Sequence, residues 1–273
     1  MDLLKRELAP VTSEAWTQID HEARRVLKLH LAGRKIVDFS GPHGWEYGGV
    51  NTGRLNHMKV TPVEQVGHAI REIQPLVELR SPFELDILEL DYATRGARDL
   101  DLDPVIAAAE RVARAEDSAI FHGFKAGQIT GIIEASPHTP IEVGSSLKWP
   151  RAVSAAREVL RLAGVNGPYA LALGGQAYDE LTADGDDGYP LRKRIEETFA
   201  DGGSIVWAPA LLGGAVLLSL RGGDFEIVVG QDLSIGYAAH NRTKVELYLT
   251  ESFTFRVLEE KAAIMLRRTG DSA

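Results

Sequence analysis

The chain has 273 residues, a formal net charge of −9 from 30 basic and 39 acidic residues, and no cysteine. This length allows a large buried core, the acidic balance argues against a nucleic-acid partner, and the lack of cysteine excludes disulfides, thiolate zinc sites and a catalytic thiol. The N-terminal segment lacks the apolar core of a signal peptide, and no run reaches the roughly 18 apolar residues of a membrane helix. We therefore expect a soluble, cytoplasmic chain with no membrane partner.

The first third of the chain predicts one helix followed by an extended arm. Thr12 and Ser13 precede apolar residues at helical spacing, and the helix is predicted to run to about Leu31. Its apolar stripe consists of Trp16, Ile19, Ala23, Val26, Leu27 and His30. Residues 50–80 follow a glycine-rich stretch and have little apolar patterning. Because such a segment cannot bury itself, we interpret it as an arm that needs a neighbouring chain.

The middle of the chain predicts a strand and a long helix. Apolar and polar residues alternate over residues 82–90, which is the period of a strand. A helix is predicted from Asp103, as N-cap with Pro104 at the first helical position, to Gly123. One side of this helix carries Val105, Ala109, Val112, Glu116 and Ile120.

The remaining elements predict a mixed fold. In chain order they are a helix at 150–163, a buried strand at 169–173, an amphipathic helix at 191–199, and strands at 205–207 and 215–220. Residues 221–257 predict a set of short strands, two of them at 245–249 and 253–255. The tail 267–273 is polar and is predicted to be disordered. Since helices and strands do not alternate regularly, the predicted fold class is α+β rather than a doubly wound parallel sheet.

Sequence signatures of catalysis and metal binding are absent. The chain has no glycine-rich phosphate loop and no nucleophile elbow, and Arg25 stands where a zinc-protease helix needs its second histidine. The acidic run at 182–188 fails the calcium-loop pattern, because Gly188 and Ile195 occupy ligand positions. On the residues alone this run is a solvated loop. We predict no catalytic residue, no metal site and no cofactor.

Several short phrases, spread from the first residue to the C-terminal strands, carry a family resemblance. They are MDLLKRELAP, GRKIVDFSGPHGWEY, ELDYATRG, AEDSAIFHG, GPYALAL and GQDLSIGY. In this order they resemble the encapsulin shell proteins (family 1, the linocin-M18-like bacterial nanocompartment proteins) over nearly the whole chain. The resemblance implies an HK97 phage-capsid-like fold with a peripheral domain, an extended arm (E-loop) and an axial domain.

The resemblance also implies domain boundaries and a structural function. The peripheral domain would combine residues 1–45, 81–131 and 225–273, with the E-loop at 46–80 and the axial domain at 132–224. Copies of the chain would assemble into a closed icosahedral shell, of the smallest T=1 class, around a cargo enzyme. Family cargoes are ferritin-like iron oxidases, which serve iron storage, and dye-decolorising peroxidases, which act in oxidative stress.

In the family, cargo docks on the inner wall through a short C-terminal targeting peptide. The matching groove positions in this chain are Leu29, Arg34, Asp38, Asp232, Leu233, Ile235 and Tyr237. On the residues alone, an alternative remains that Leu233 and Ile235 are ordinary core and that Arg34 pairs internally with Asp38.

The acidic run acquires a second interpretation from the resemblance. The matching loop surrounds the five-fold axis, so Asp184, Asp186 and Asp187 would give a pore with a negative mouth that attracts cations. Some encapsulins bind a flavin on an aromatic side chain in the strand that matches residues 83–91. Here Ile87 and Leu88 occupy the middle of that segment, so no flavin is expected.

Three other functions stay open at this point. A prophage major capsid protein would share the fold but enclose DNA, against which the net charge of −9 argues. A bacteriocin or protease activity, described for members of this family, lacks a nucleophile–base signature here, so we expect no enzyme. A small binding protein would be a stable monomer.

Overall fold

Two β-sheets and one long helix organise the chain. The structure is a computed structural model that describes residues 3–59, 63–144, 148–183, 185–186, 189–199 and 202–269. The helices are α1 (Ser13–His30), α2 (Ile87–Thr94), α3 (Asp103–His122), α4 (Ile132–Ala135), α5 (Trp149–Leu162), α6 (Gly175–Ala183) and α7 (Leu191–Thr198). The strands are β1 (Asp38–Ser40), β2 (Gly49–His57), β3 (Ala69–Pro75), β4 (Val77–Asp86), β5 (Ile141–Val143), β6 (Tyr169–Leu173), β7 (Gly185–Asp186), β8 (Tyr189–Pro190), β9 (Ser204–Trp207), β10 (Gly214–Ser219), β11 (Phe225–Val229), β12 (Ser234–His240), β13 (Lys244–Val257) and β14 (Ala263–Arg268). Within these described ranges, no helix is both long and apolar enough to cross a membrane.

The first sheet is built around β13, a strand of 14 residues. Its order is β1–β11–β13–β12, and β4 pairs with the opposite edge of β13. The two short strands predicted at 245–249 and 253–255 are in fact joined in β13. Pairing continues through Thr250, whose hydroxyl donates a hydrogen bond to the Leu79 carbonyl at 2.9 Å. A polar residue can therefore stay buried in mid-strand without breaking it.

The second sheet has the order β5–β14–β10–β6–β9. Strands β6 and β10 are buried along their whole length, and α5 and α6 pack against this sheet. Strand β14 reaches it from the C-terminal end of the chain, antiparallel to β10 and parallel to β5. The predicted unit 225–273 thus sends its last strand into a sheet otherwise formed by residues 141–219. Apart from this difference, the division into peripheral domain, arm and axial domain stays a prediction.

The polar tail begins later than the sequence predicts. Arg267 and Arg268 are the last residues of β14, and the Arg268 guanidinium donates a hydrogen bond to Glu180 at 2.7 Å. The Thr269 N–H then donates to the Val143 carbonyl at 3.0 Å. The prediction of disorder from residue 267 is therefore wrong at its start, because pairing with the neighbouring strands holds these residues. Residues 270–273 lie outside the described residues.

Helix α3 runs from one hydrophobic core to the other. Its 20 residues give a length of about 30 Å. Val105 and Val112 lie in a core shared with α1, α2, β4, β12 and the first half of β13. Ile120 and Phe121 lie in a second core shared with the second sheet, α5 and the other half of β13. The helix and β13 therefore both cross the boundary between the two cores.

Two helix starts differ from the sequence prediction. The strand predicted at 82–90 ends at Asp86, whose carboxylate accepts a hydrogen bond from the Leu88 N–H at 2.8 Å and begins α2. The N-cap role predicted for Asp103 is also wrong, because Asp103 already lies in the first turn of α3. The carboxylate of Asp101 accepts the Asp103 N–H at 3.2 Å. A capping side chain thus decides the start of α2, whereas α3 starts after Leu102, whose side chain makes no capping hydrogen bond.

The arm predicted from poor apolar patterning contains the hairpin β2–β3. The two strands pair antiparallel and form a sheet of their own. Leu55, Ile70 and Ile73 are exposed by 53%, 59% and 59%. At the base of the hairpin the Gln74 amide donates to the Phe255 carbonyl at 2.7 Å. The arm is thus joined to β13 at its base, where Val50 is buried, while Leu55, Ile70 and Ile73 are largely exposed.

Replacing Gly131 by alanine is expected to destabilise the fold. Gly131 precedes α4 with an ordinary φ of −82°, but an added Cβ would lie 2.8 Å from the His122 N and against the Gly123 N. Because backbone atoms cannot move aside, the free energy of unfolding should fall by about 1–3 kcal/mol, as measured by denaturant unfolding. Gly48→Ala is the control, since nothing lies within 4 Å of its added Cβ. Equal stability of the two variants would contradict this close approach.

Candidate functional site: a buried charge cluster beside an apolar groove

An open groove lies between α1 and β12. The cavity has a volume of about 460 Å³, within the usual range for ligand pockets. Its lining combines an apolar floor with a charged rim. The lining residues are Leu4, Arg6, Asp20, Ala23, Arg24, Leu27, Lys28, Leu31, Arg34, Lys35, Asp232, Leu233, Ser234, Ile235 and Leu249.

Apolar residues at helical spacing in α1 form one side of the groove. Thr12 caps the helix by accepting the Ala15 N–H at 3.4 Å, and α1 confirms the predicted N-terminal helix. Ala23, Leu27 and Leu31 follow at intervals of four residues, so they lie on one face of the helical segment. Leu233, Ile235 and Leu249 line the facing side. An extended apolar segment could lie between these two rows of side chains.

Arg34 lies at one end of the groove and makes contacts with three carboxylates. Its Nε donates to both oxygens of Glu116 at 3.0 Å, and its Nη2 donates to Glu116 Oε2 at 2.7 Å. Nη2 also donates to Glu251, and Nη1 donates to Asp232 Oδ1 at 2.8 Å. The side chains of Glu116 and Glu251 are fully buried, whereas that of Asp232 is 42% exposed. Arg34 therefore joins two buried acids to one that faces the groove.

Asp117 adds a further buried carboxylate beside this ion-pair network. It accepts hydrogen bonds from the N–H groups of Ala32 and Gly33 at 2.8 and 2.9 Å, which holds the turn after α1 against α3. Burial, together with the charge of Glu116, raises the pKa of Asp117 to about 7, although the two backbone donors oppose the shift.

Proton affinity is also raised at Glu251. Burial and the negative charge of Glu116 raise the pKa of Glu251 well above its ordinary value, and the Arg34 guanidinium only partly opposes this. Burial disfavours the charged form of Arg34, but the hydrogen bonds and charges of Glu116 and Glu251 outweigh it and raise the pKa of Arg34. The cluster therefore favours a charged guanidinium and raises the proton affinity of Asp117 and Glu251.

The structure brings together four of the seven predicted groove residues. Arg34, Asp232, Leu233 and Ile235 line the same cavity. The alternative that Arg34 pairs with Asp38 is wrong, because its carboxylate partners are the three acids described above. Ile235 is indeed a buried core residue, and it also lines the groove. Whether these residues bind a peptide stays a prediction.

The other three predicted groove residues lie apart from the cavity lining. Leu29 is exposed by 50% on α1. Asp38 lines a separate cavity of about 110 Å³ and accepts the Gly223 N–H at 2.6 Å. The Tyr237 hydroxyl lies 2.6 Å from the His240 Nδ1, and its backbone N–H is bonded to the Leu4 carbonyl. Their proposed role in the groove has no support from the cavity itself.

Most of the predicted pore loop lies beyond the described residues. This holds for Asp184 and Asp187, while Asp186 belongs to the two-residue strand β7, which pairs with β8. The predicted pore therefore stays a prediction. Among the described residues, no group of three or more His, Asp or Glu side chains is placed to hold a metal ion.

Sequence reasoning missed the buried acids of the cluster. Glu116 was placed on the apolar side of α3 between Val112 and Ile120, and a carboxylate at such a position is a signal for a buried partner. Glu251 gives a similar signal, because it lies between apolar residues of one strand. The long separation of both acids from Arg34 along the chain hid the ion pairs.

Solved structures and family models place the chain among known proteins. The Pyrococcus furiosus virus-like particle has a similar chain, with a TM-score of 0.62 at 15% identity, over 92% of this chain and 98% of that one. The Mycobacterium phage Bobi gives a TM-score of 0.58 at 13% identity, over 89% and 91%. With the mixed sheets and helices, these similarities confirm the predicted fold class, which is α+β and HK97-like.

The sequence comparisons identify the family within that class. A family model described as "Encapsulating protein for peroxidase" matches residues 1–254. A type 1 encapsulin shell protein of Rhodospirillum rubrum is 46% identical over 282 residues, covering 100% of this chain and 99% of the relative. Another, from Rhodococcus erythropolis, is 42% identical over 97% of this chain and 100% of the relative. The chain belongs to the encapsulin shell-protein family.

Exchanging Glu251 for glutamine is expected to change how stability depends on pH. The pKa of Glu251 is higher in the folded chain than in the unfolded chain. Above about pH 4.3 unfolding therefore releases a proton from this carboxyl. As a result, Glu251 lowers the free energy of unfolding progressively as pH rises towards its pKa in the folded chain. Glutamine stays neutral. Relative to the parent chain, Glu251→Gln should therefore gain up to about 1.4 kcal/mol in unfolding free energy per pH unit between pH 5 and 7.

Urea unfolding at a series of pH values measures this difference. The control is Glu158→Gln, which removes an exposed carboxyl whose pKa is lowered by its hydrogen bond from Arg161. That carboxyl is already ionised in both states, so its difference from the parent should stay constant between pH 5 and 7. A constant difference for Glu251→Gln as well would contradict proton retention at Glu251.

Proposed function

We propose that the chain is the shell subunit of an encapsulin nanocompartment. Copies of it close into an icosahedral shell of the smallest T=1 class, in the bacterial cytoplasm, around a cargo enzyme. The observation that carries the proposal is the full-length match, at 46% identity, to a relative named as a shell protein. The role is structural rather than enzymatic, in keeping with the names of the relatives.

The arm supports assembly with further copies of the chain. A two-stranded hairpin is marginally stable by itself in water, and β2–β3 exposes Leu55, Ile70 and Ile73. A neighbouring subunit in a closed, symmetric assembly would cover these side chains. The free energy gained by burying them would favour assembled over separate subunits.

The groove supports docking of a cargo peptide. Its floor is apolar and its length between Ala23 and Leu31 is about 12 Å, which accommodates about four residues of extended chain. This suits a C-terminal targeting peptide that combines Leu, Ile and Gly with a few charges. The description of the matching family model favours a dye-decolorising peroxidase as cargo, with a ferritin-like iron oxidase as the alternative.

Replacing Ile70 and Ile73 together by aspartate should prevent shell closure. Both side chains are exposed in the subunit, so the subunit should still fold, but a charge cannot enter an apolar contact with a neighbour. Light scattering behind size exclusion, with negative-stain images, measures the outcome. The parent chain expressed alone should form uniform megadalton particles, and the variant should elute as small species.

The control for this experiment is Glu72→Gln, a polar exchange on the same strand, which should keep the particles. A parent peak near the subunit mass of 29.8 kDa would contradict the shell. Closed particles from the double variant would contradict only the proposed role of the arm, not the shell itself. Copurifying nucleic acid would instead favour a prophage capsid.

Neutralising the acidic loop should slow the entry of cations. In the proposed shell, Asp184, Asp186 and Asp187 repeat around an axis and concentrate cations at a pore. The triple exchange to asparagine should lower the rate at which a divalent cation reaches an enclosed chelating dye. The exchanges Asp91→Asn and Asp99→Asn remove exposed charges elsewhere and should leave that rate unchanged. Equal rates for parent and triple variant would remove the pore assignment.

A further inference from the structure

The N-terminal segment lies along the edge of the strand that borders the groove. We call residues 3–9 the strap. The Leu4 carbonyl accepts the Tyr237 N–H of β12 at 2.8 Å, and the Leu3 carbonyl accepts the Tyr248 hydroxyl at 3.4 Å. Strand β12 ends the path of the first sheet, so the strap uses hydrogen-bonding groups that an edge strand would otherwise present to solvent.

The strap also lines the groove. Leu4 and Arg6 belong to the lining of the cavity. Arg6 pairs with Asp20 at 2.8 Å and lies over the Trp16 ring at 3.9 Å from its centroid. The strap thus borders the same cavity that the proposed cargo peptide would enter.

Several features indicate that the strap is held lightly. Its short 3-10 helix (Arg6–Leu8) buries no residue, and Leu3 and Leu8 are exposed by 57% and 56%. Lys5 has a φ of 50°, in the left-handed region that residues other than glycine rarely adopt. The Arg6–Asp20 pair is partly exposed, with side-chain exposures of 29% and 36%, and such pairs contribute little to stability.

The geometry of β12 fits an extended chain in place of the strap. Tyr237 points its backbone N–H away from β13, and alternate residues of an antiparallel strand point the same way. The register pairs Ile235 with Leu249 and Tyr237 with Leu247 without interruption, so the N–H and C=O of Ile235 point towards the same edge. An extended peptide on the groove floor can pair with this edge by strand addition.

We propose that the strap occupies the edge of β12 that a docked apolar peptide takes by strand addition, so that peptide docking displaces the strap. This inference rests on the proposed docking function and adds its regulation. The peptide then binds only subunits in which the strap is open. Its apparent affinity is therefore reduced in proportion to the fraction of open subunits. Loosening the strap removes that reduction without altering the apolar floor.

Arg6→Ala loosens the strap, and Arg25→Ala is its matched control. Arg25 pairs with Glu22 on the same helix, is exposed by 54%, and does not line the cavity. The probe is a fluorescent reporter protein ending in Ser-Gly-Leu-Gly-Ile-Gly-Ser, coexpressed with the chain at limiting level. The reporter copurified per subunit should rise about fivefold in Arg6→Ala and stay unchanged in Arg25→Ala. Leu233→Asp should abolish copurification in either background.

Hydrogen exchange of loaded and empty preparations tests the displacement directly. Loading should speed exchange in residues 3–9 and slow it in residues 232–240, because the peptide replaces the strap at the edge of β12. Reporter binding that Arg6→Ala leaves unchanged or weakens would overturn the strap proposal while leaving docking intact. Absence of the reporter from both parent and Arg6→Ala would contradict the docking function itself, and this inference with it.

Discussion

The buried ion pairs of Arg34 fix how the two halves of the subunit meet. Glu116 lies on α3 between the residues of one hydrophobic core and those of the other, and Glu251 has the same position on β13. A buried charge is tolerated only with partners at hydrogen-bonding distance, and removing one partner leaves another charge unpaired. Arg34 therefore holds the turn after α1, the middle of α3 and the middle of β13 in one arrangement, on which the position of the groove floor depends.

This arrangement changes the charge that the groove presents. From the sequence, Arg34 is predicted either to belong to the groove or to pair internally with Asp38. In the structure its guanidinium is engaged by Glu116, Glu251 and Asp232, and only Asp232 among these acids is substantially exposed. An occupant at this end of the groove consequently meets a carboxylate first. Arg34 acts on the groove mainly by positioning Asp232, whose Oδ1 also accepts the Leu233 N–H at 2.8 Å.

Local patterning was enough to predict most elements, because each is decided by near neighbours. Apolar residues at helical spacing predicted α1, α5 and α7, and the continuous apolar run predicted β6. The predictions that failed concern features that depend on distant partners or on one capping side chain. Strand β14 joins the second sheet across the whole chain, Asp86 ends β4 early, and the acids of the cluster lie 82 and 217 residues from Arg34. Asp38 was assigned to the groove by the family resemblance alone, and in the structure it lines a separate cavity.

Strand β13 links the groove to the arm within a short stretch of chain. Leu249 lines the groove, Glu251 pairs with Arg34, and the Thr254 hydroxyl accepts the Gln74 amide at 3.1 Å at the base of the hairpin. Five residues of a strand span about 17 Å, so the groove lining and the base of the hairpin lie close together on one strand. Between Val245 and Thr250 this strand is paired on both edges, with β12 on one side and β4 on the other. The base of the arm and the lining of the groove therefore both depend on how this single strand is packed.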